Sequence, residues 1–574
     1  MSRLLPFLRP YGALIAIVLL LTFGQTMLNL YLPNLMSNIV DNGVVKGDVP
    51  YILHTGAWML AVACAGGAAA VVSSFFGSRV SAFFGRDLRG RLFEHVERFT
   101  LKEFDAFGAS SLIIRSTNDV WQVQQLTYML QIMVMAPLTG IGGIILAVRE
   151  DASLSWLVAV VLPIMALVIY GILRPGIALF ASVQQKIDRL NLVLRENLTG
   201  VRVIRSFDRT PYETRRFDGA NMDLTQTQVR VYQLMAFMWP AVMLVMNLST
   251  VAVVWLGGAQ VNTGALQIGQ LMAFIQYLTQ ILFAVLMLSM MIFQLPRALA
   301  SAERIRLVLE TTPDIADPES PVETPPAGGR VEFRNVTFRY PGAEEPALSD
   351  ISFTVEPGSV TAVIGGTGAG KSTLLNLIMR FYDVAAGSVF VDGVDVRAMP
   401  QAELRRRVGY VPARAVLFAG SVLDNVRYGD LEASEAQARE ALEVAQASEF
   451  IDALPDGMDA EVSQGGHNFS GGQRQRLSIA RALARRASLY LLDDCFSALD
   501  FATDARLRAA LRQRLKGATL LIVAQRVGTV MHADRILVLD EGRLVGVGRH
   551  DELLATCPVY REIVESQIRP EGIA

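Results

Sequence analysis

The sequence predicts two unlike halves, an α-helical transmembrane domain with six spans followed by an α/β domain. Hydrophobic residues make up 52% of the 574 positions and the mean hydropathy is +0.36, values that are too high for a wholly soluble protein. All long uncharged runs lie before residue 300, and short strand and helix patterns replace them afterwards. The first half is therefore expected to lie in a membrane and the second in water.

Five uncharged runs are long enough to cross a bilayer, because a spanning helix needs roughly 20 apolar residues. They cover residues 10–40, 50–78, 120–148, 152–173 and 231–296. The last run is long enough for two helices, and its turn is predicted at Gly257, Gly258, Asn262 and Gly264. Six spans result.

Lysine and arginine collect in alternate connecting segments, as they do on the cytoplasmic side of membrane proteins. The segment between spans two and three holds seven and that between spans four and five holds ten, whereas the opposite-side loops hold only Lys46 and Arg149. Both chain ends are therefore predicted to be cytoplasmic. Apolar residues recur at helical spacing in 88–99 and 183–204, so the spanning helices are expected to continue into the cytoplasm.

Some residues inside the spans have two interpretations. Polar side chains there can face a translocation cavity or form hydrogen bonds between helices, and the polar residues concerned are Asn29, Asn34, Gln131, Asn247, Gln276 and Gln280. Met287, Met290 and Met291 can offer an adaptable apolar surface to substrates or can simply pack. The sequence leaves both choices open.

A linker separates the halves. Residues 312–329 carry five prolines, two glycines and four acids, a composition that cannot bury enough apolar surface to fold alone. Beyond the linker, residues 331–338 and 359–364 show strand patterns and residues 372–379 a helical one. Alternating strands and helices predict an α/β domain.

A phosphate-binding loop lies between that second strand and the helix. Residues 365–372 read GGTGAGKS and match G-x-x-x-x-G-K-[ST]. The glycines allow backbone N–H groups to converge on phosphate oxygens, Lys371 supplies a positive charge, and Ser372 can bind Mg²⁺. The apolar strand 489–492 ends in Asp493, which is placed to hold the metal directly or through water.

A second anion site follows from FSGGQRQR at 469–476. Ser470 precedes a predicted helix, so its hydroxyl and the N–H groups of Gly471 and Gly472 can bind an anion at a helix N-terminus. One phosphate loop does not need two such sites. The simplest explanation is a dimer in which this segment contacts nucleotide held by the other subunit.

With these motifs the chain resembles the ATP-binding cassette (ABC) transporters, specifically half-transporters of the exporter fold. The resemblance implies a transmembrane domain at 1–311, a linker at 312–329 and a nucleotide-binding domain with the P-loop NTPase fold at 330–574. It implies ATP and Mg²⁺ as cofactors, Tyr340 stacking on adenine, Ser470 to Gln473 as the signature, and Asp500 in the D-loop. The residues expected to bind nucleotide are Tyr340, Gly365, Thr367, Gly368, Ala369, Gly370, Lys371, Ser372 and Thr373, and those expected at Mg²⁺ are Ser372 and Asp493. Residues 115–119 and 196–205 resemble the family's long intracellular loops, whose coupling helices dock on the cassettes.

Three positions depart from the family pattern. The residue after Asp493 is usually glutamate, which polarises the attacking water, and here it is Asp494. The switch histidine is replaced by Gln525 and the Q-loop glutamine by Ala413. Aspartate is shorter by one methylene, and loss of a general base typically costs roughly 10² to 10⁴ in rate. Slow hydrolysis with retained ATP binding is therefore expected at this chain's own site, the alternative being a relaxed but working site.

The intact signature extends this prediction to a partner. In a head-to-tail dimer it completes the partner's site, so the sequence predicts a heterodimer whose other half-transporter carries the Walker B glutamate and the switch histidine. The expected function is ATP-driven export of amphipathic or lipid-like molecules, including drugs, across the bacterial cytoplasmic membrane. The alternatives are an importer, such as one for siderophores, and an ATP-gated regulatory or channel-like protein. The six spans exclude the soluble nucleic-acid-associated cassette proteins.

Overall fold

The computed structural model describes residues 5–567, which form two compact units. The first unit contains the described residues up to 97 together with residues 109–311. The second contains residues 98–108 and the described residues from 312 onward. The predicted boundaries after 311 and 329 stay predictions, and the short segment 98–108 packs with the second unit although both its neighbours in sequence belong to the first.

Long helices build the first unit. A 3₁₀ helix at Leu5–Tyr11 and π-helical turns at Ile39–Val44 and Arg115–Asp119 accompany them. In chain order the α-helices are α1 (Gly12–Asn38), α2 (Val49–Val96), α3 (Leu101–Phe107, in the second unit), α4 (Ala109–Ile114), α5 (Val120–Tyr128), α6 (Leu130–Glu150), α7 (Trp156–Thr199), α8 (Val201–Ser206), α9 (Thr210–Asn262) and α10 (Ile268–Glu310).

Among the described residues, six helical stretches are long and apolar enough to cross a membrane. They are Pro6–Val44, Val49–Val96, Ala109–Glu150, Trp156–Thr199, Thr210–Asn262 and Ile268–Glu310. The predicted fold class is confirmed in this half, and each stretch runs well beyond the roughly 20 residues that a bilayer requires.

The predicted turn between the last two spans was wrong in part. Gly264 does lie in the turn, at φ +75°, but Gly257 and Gly258 lie inside α9. An ideal Cβ on Gly257 would lie 2.3 Å from the Leu271 side chain, so this glycine permits close packing of α9 on α10 and does not break the helix. Close packing between α9 and α10 therefore accounts for Gly257, which the turn prediction had assigned to a loop.

Two of the ambiguous polar residues form hydrogen bonds between helices. Gln131 Nε2 donates to Ser73 Oγ at 2.8 Å, and Ser73 in turn shares a 2.9 Å hydrogen bond with Thr22. Asn34 Nδ2 donates to Glu150 Oε1 at 3.2 Å. These contacts join α1, α2 and α6, so the packing interpretation holds for Gln131 and Asn34.

A buried acid fixes the π-helical turn at Arg115–Asp119 to α10. Asp119 is 0% exposed and accepts from Arg304 Nε at 2.7 Å and from Ser301 Oγ at 2.9 Å. Arg304 also donates through a second guanidinium nitrogen, which makes the pair bidentate. A buried carboxylate is tolerated only when it is paired and hydrogen-bonded, and all three donors come from one turn of α10.

Among the described residues, twelve strands form the sheets of the second unit. Their bounds are β1 (Val331–Phe338), β2 (Leu348–Val355), β3 (Val360–Gly365), β4 (Ala386–Val391), β5 (Val394–Asp395), β6 (Val408–Val411), β7 (Gly420–Ser421), β8 (Glu461–Val462), β9 (Leu489–Asp493), β10 (Thr519–Val523), β11 (Arg535–Asp540) and β12 (Arg543–Gly548). The main sheet has the order β12-β11-β3-β10-β9-β6, a second sheet has the order β2-β1-β4-β5, and β7 pairs with β8. The main sheet is parallel except for the edge strand β12.

Helices alternate with these strands along the second unit. They are α11 (Lys371–Ile378), α12 (Gln401–Arg406), α13 (Val422–Arg427), α14 (Glu435–Val444), α15 (Ser448–Asp452), α16 (Gly471–Ala484), α17 (Phe501–Arg514), α18 (Val527–Val530), α19 (His550–Thr556) and α20 (Pro558–Gln567), with 3₁₀ turns at Gly457–Asp459 and Gln464–Gly466. Alternate strand residues enter two separate cores: Leu492 and Ile522 pack in one, Leu491 and Leu521 in the other. Burial on both faces explains why these strands read as continuous apolar runs.

We expect Arg304→Ala to destabilise the first unit by about 3 kcal/mol, because it leaves the Asp119 carboxylate buried with Ser301 as its remaining donor. The midpoint of thermal unfolding in detergent measures this. The Asp119→Ala/Arg304→Ala double variant is the control and should recover part of the loss, since it removes the charge as well. A double variant less stable than Arg304→Ala alone would contradict the account.

Candidate functional site

The candidate residues lie at the carboxyl ends of neighbouring parallel strands or in the loops that follow them. Val363 of β3 pairs with Val523 of β10, Val523 pairs with Asp493 of β9, and Leu492 of β9 pairs with Val411 of β6. The strands are parallel and in register, so the loops that follow them leave the same edge of the sheet. This edge is where open α/β sheets bind ligands.

The phosphate loop connects β3 to α11. Gly368 and Gly370 have φ of +84° and +93°, a conformation that glycine adopts without strain. An ideal Cβ on Gly370 would also lie 2.8 Å from the Ala347 carbonyl, so the site excludes a side chain on two grounds. Gly366, Thr367 and Gly368 are exposed, which leaves the loop open to a phosphate chain.

Lys371 folds back onto this loop. Its ammonium donates to the carbonyls of Gly365 at 2.9 Å and Gly366 at 2.6 Å. Burial lowers the pKa of Lys371, and the nearby carboxylates of Asp493 and Asp494 oppose that shift. A cation held by carbonyl dipoles beside a glycine-rich loop fits the β and γ phosphates of a nucleotide.

Ser372 and Asp493 supply oxygen ligands suited to Mg²⁺. Ser372 Oγ donates to Asp493 Oδ1 at 2.9 Å, and Asp493 is 4% exposed. Burial raises the pKa of the Asp493 carboxyl. A bound cation would oppose that shift, because a nearby positive charge favours the ionised carboxylate. Residues 5–567 contain no group of three or more His, Cys, Asp or Glu side chains placed to hold a metal, and Mg²⁺ is usually held by one or two protein oxygens together with substrate phosphates. Mg²⁺ bound here would neutralise phosphate charge.

Tyr340 contacts the helix that begins in the phosphate loop. Its hydroxyl shares a 3.0 Å hydrogen bond with Thr373 Oγ1, and its ring meets Phe338 and Tyr382 edge-on. The half-buried ring is therefore held beside α11. Adenine stacking on this ring stays a prediction.

Asp494 and Gln525 contact each other. Gln525 Nε2 donates to Asp494 Oδ2 at 3.0 Å, while Asp494 N–H donates to the Val523 carbonyl at 2.9 Å. Asp494 has φ +43°, a left-handed conformation that is uncommon for a non-glycine residue. Burial raises the pKa of the Asp494 carboxyl, and the nearby Lys371 and Arg526 oppose that shift.

Ala413 lies in the loop after β6 and is exposed. Its neighbour Pro412 accepts a 3.3 Å hydrogen bond from Gln475 of α16, the helix that carries the signature. Ala413 therefore shares the sheet edge with Asp494 and Gln525, and its loop is tied to the signature helix. A methyl side chain offers neither donor nor acceptor at this position.

The signature segment begins α16 with a capping box. Ser470 Oγ accepts from Gln473 N–H at 3.2 Å, and the Gln473 side chain accepts from Ser470 N–H at 2.8 Å. The box uses the third N–H of the helix and leaves those of Gly471 and Gly472 directed outward. Because Ser470 Oγ acts here as an acceptor, its hydroxyl hydrogen remains available to an anion.

Two further contacts of the second unit were missed from the sequence. Gln567 of α20 bonds the backbone of the Gln525 loop from 42 positions away. Tyr382 bonds Asp105 of α3, and burial followed by the Asp105 charge raises its pKa to about 12. No local pattern marks either pair, because each joins segments that only the tertiary fold brings together.

Comparison with known proteins agrees with this architecture. Residues 15–285 match the family "ABC transporter transmembrane region" and residues 348–497 match the family "ABC transporter". The chain is 46% identical over 565 residues to an uncharacterised ABC transporter ATP-binding protein of Mycobacterium tuberculosis, covering 98% of this chain and 97% of that one. It is 33% identical over 508 residues to an ATP-dependent lipid A-core flippase of Syntrophus aciditrophicus, covering 88% and 83%.

A solved structure shares the fold. The structure of a bacterial Atm1-family ABC exporter with ATP bound matches with a TM-score of 0.80 at 24% identity and covers 99% of both chains. At that identity the likeness concerns the fold, whereas the sequence relatives and the two family matches carry the assignment. The chain belongs to the ABC transporter family, as a half-transporter of exporter-type fold.

Proposed function

We propose that this chain is the degenerate-site half of a heterodimeric bacterial exporter. Its own phosphate loop at residues 365–372, the Walker A motif, binds ATP with Mg²⁺, and this site hydrolyses ATP slowly. Its signature completes the hydrolytic site of a second, homologous half-transporter. The contact between Asp494 and Gln525 carries this proposal, because both positions depart from the family pattern and each engages the other.

The chemistry at these two positions favours binding over hydrolysis. The Asp494 carboxylate stands one methylene closer to the backbone than glutamate would, and one of its oxygens already accepts from the Gln525 amide. An amide in place of imidazole can bond a phosphate oxygen but cannot exchange a proton near neutral pH. The groups that cradle phosphate, Lys371 and Ser372, are unaltered.

An intact signature supports the partner's role. Ser470 Oγ is oriented by the capping box, and the first N–H groups of α16 add the positive end of a helix dipole. Such a donor set is useful in a hydrolytic dimer when the opposing subunit has a competent base. We therefore infer a partner with glutamate after the Walker B aspartate and histidine at the switch.

Lipid-like or amphipathic molecules are the proposed substrates. The named function of the Syntrophus relative, a lipid A-core flippase, supports a lipid-like class. Six apolar stretches and the alternation of basic segments support a bacterial cytoplasmic-membrane protein with both ends in the cytoplasm. The predicted division at 1–311, 312–329 and 330–574 belongs to this proposal.

We expect the chain purified alone to hydrolyse ATP roughly 10² to 10⁴ times more slowly than the glutamate-bearing site of the complete complex, because its base is short and bonded to an amide. Asp494→Glu alone should restore little, since Gln525 remains. Asp494→Glu combined with Gln525→His should restore more. Steady-state phosphate release measures all three, with Lys371→Ala as the nucleotide-binding control. Turnover by the unaltered chain equal to that of the complex would contradict the proposal.

We expect Gly471→Glu to abolish most hydrolysis at the partner's site while ATP binding at this chain's Walker A persists. An ideal Cβ on Gly471 meets no atom within 4 Å, so the acid should fit the fold while repelling phosphate. Single-turnover hydrolysis by the heterodimer measures the effect, and Gly471→Ala is the matched control. Full activity of Gly471→Glu would exclude the signature from the hydrolytic site.

We expect the complex to move a fluorescent phospholipid in proteoliposomes when ATP is supplied on the cassette side. The probe should move from the leaflet on the cassette side to the opposite leaflet. Dithionite added on the cassette side quenches only the probe that remains in the facing leaflet, so the protected fraction measures this movement. Movement in the reverse direction would indicate an importer. ATP binding without any net movement would favour a gating protein. Complex carrying Lys371→Ala and its counterpart in the partner is the control.

A further inference from the structure

The last described helix packs one face onto the cassette. Tyr560 is 0% exposed and Val564 is 6% exposed, and both join the core that contains Val527 and Val530. Gln567 lies three positions beyond Val564, so the same face of α20 continues to it. This packing directs the end of α20 toward the segment 525–527, termed here the switch loop.

The Gln567 amide bonds that loop at two backbone groups. Its Oε1 accepts from Val527 N–H at 2.8 Å, and its Nε2 donates to the Gln525 carbonyl at 2.7 Å. The backbone groups fix the orientation of the amide, because only one of its two flips gives both an acceptor and a donor the partner it needs. The Gln567 side chain therefore accepts one hydrogen bond from the loop backbone and donates one to it, as the backbone of a neighbouring β-strand does.

The switch loop is also held from its other side. Arg526 donates to the Ser497 carbonyl at 3.2 Å, and the Gln525 side chain reaches Asp494 at 3.0 Å. The loop thus lies between α20 and the segment that follows β9. Because Gln567 bonds the backbone of this loop, it fixes the position of the Gln525 backbone, from which the Gln525 side chain reaches Asp494.

We propose that Gln567 is a positioning residue for the nucleotide site: it holds the switch-loop backbone so that the side chain at 525 points at the site. The proposal rests on the role proposed above for Gln525 and adds a second point of control, at the C-terminal helix. Gln567 itself contacts neither Asp494 nor the phosphate loop through any hydrogen bond found within residues 5–567, so its effect passes through the loop.

Hydrogen–deuterium exchange of the complete nucleotide-free heterodimer tests the contact directly. Gln567→Leu keeps the side chain's approximate size and removes both hydrogen bonds, so exchange at Val527 should rise about three- to tenfold. Gln567→Glu keeps the acceptor and should retain part of the protection. Glu565→Leu is the matched control, because it places the same residue on the exposed side of α20 and should leave the loop unchanged. Unchanged exchange in β10 and α20 shows that the variants are folded.

A second measurement separates positioning from mere structural support. In a complex whose partner cannot bind ATP, Gln567→Leu should speed ATP release from this chain about three- to tenfold, as expected for a weakened hydrogen bond to phosphate. Gln567→Glu should give a smaller effect, and Glu565→Leu none. Unchanged loop exchange, or faster exchange with unchanged ATP release, would overturn the proposal. Rapid hydrolysis at this chain's own site would refute the proposed function instead and would leave the exchange result standing.

Discussion

The nucleotide site depends on the parallel register of four strands, β3, β10, β9 and β6. Parallel strands in register deliver their carboxyl ends to one edge, so residues far apart in sequence emerge as neighbouring loops. The phosphate loop, Gln525 and Ala413 follow β3, β10 and β6, and Asp493 is the last residue of β9. Burial on both faces makes the register strict, because a slip of one residue would move each side chain into the other core. Packing in the two cores therefore fixes which side chains meet at this edge of the sheet.

Electrostatics at this edge are arranged for a charged ligand. Burial raises the pKa of both Asp493 and Asp494 and lowers that of Lys371, so each ionised group bears a desolvation cost in the absence of nucleotide. A cation beside Asp493 and phosphate beside Lys371 would offset those costs. The same burial that the fold imposes would therefore favour the binding of nucleotide and metal. Asp494 contributes to the electrostatics of the site whether or not it acts as a base, because its carboxylate opposes the lowering of the Lys371 pKa.

The elements predicted correctly from the sequence are those that short local patterns specify. The loop at 365–370 between β3 and α11 was predicted from its glycine spacing, β9 from its apolar run, and the helix start at Ser470 from its capping residues. Gly257 was misassigned because glycine marks both turns and close helix contacts, and only the position of Leu271 distinguishes them. The pair of Asp119 and Arg304 is separated by 185 positions, so no periodicity could indicate it. Gln567 was missed for the same reason, since an exposed glutamine near a helix end is ordinary until its partner is known.

The residues expected to bind phosphate and those that depart from the family pattern follow different strands of this sheet edge. The groups that cradle phosphate follow β3, whereas the three departures from the family pattern follow β9, β10 and β6. Each departure lies in a loop beyond the last paired residue of its strand, so changing it leaves the cores untouched. A chain can therefore lose residues needed for hydrolysis and keep both its fold and its phosphate loop. The signature, on α16, belongs to neither set, and it stays useful as long as some other subunit retains a competent base. The proposed asymmetric pair of half-transporters is the arrangement in which all of these residues keep a role.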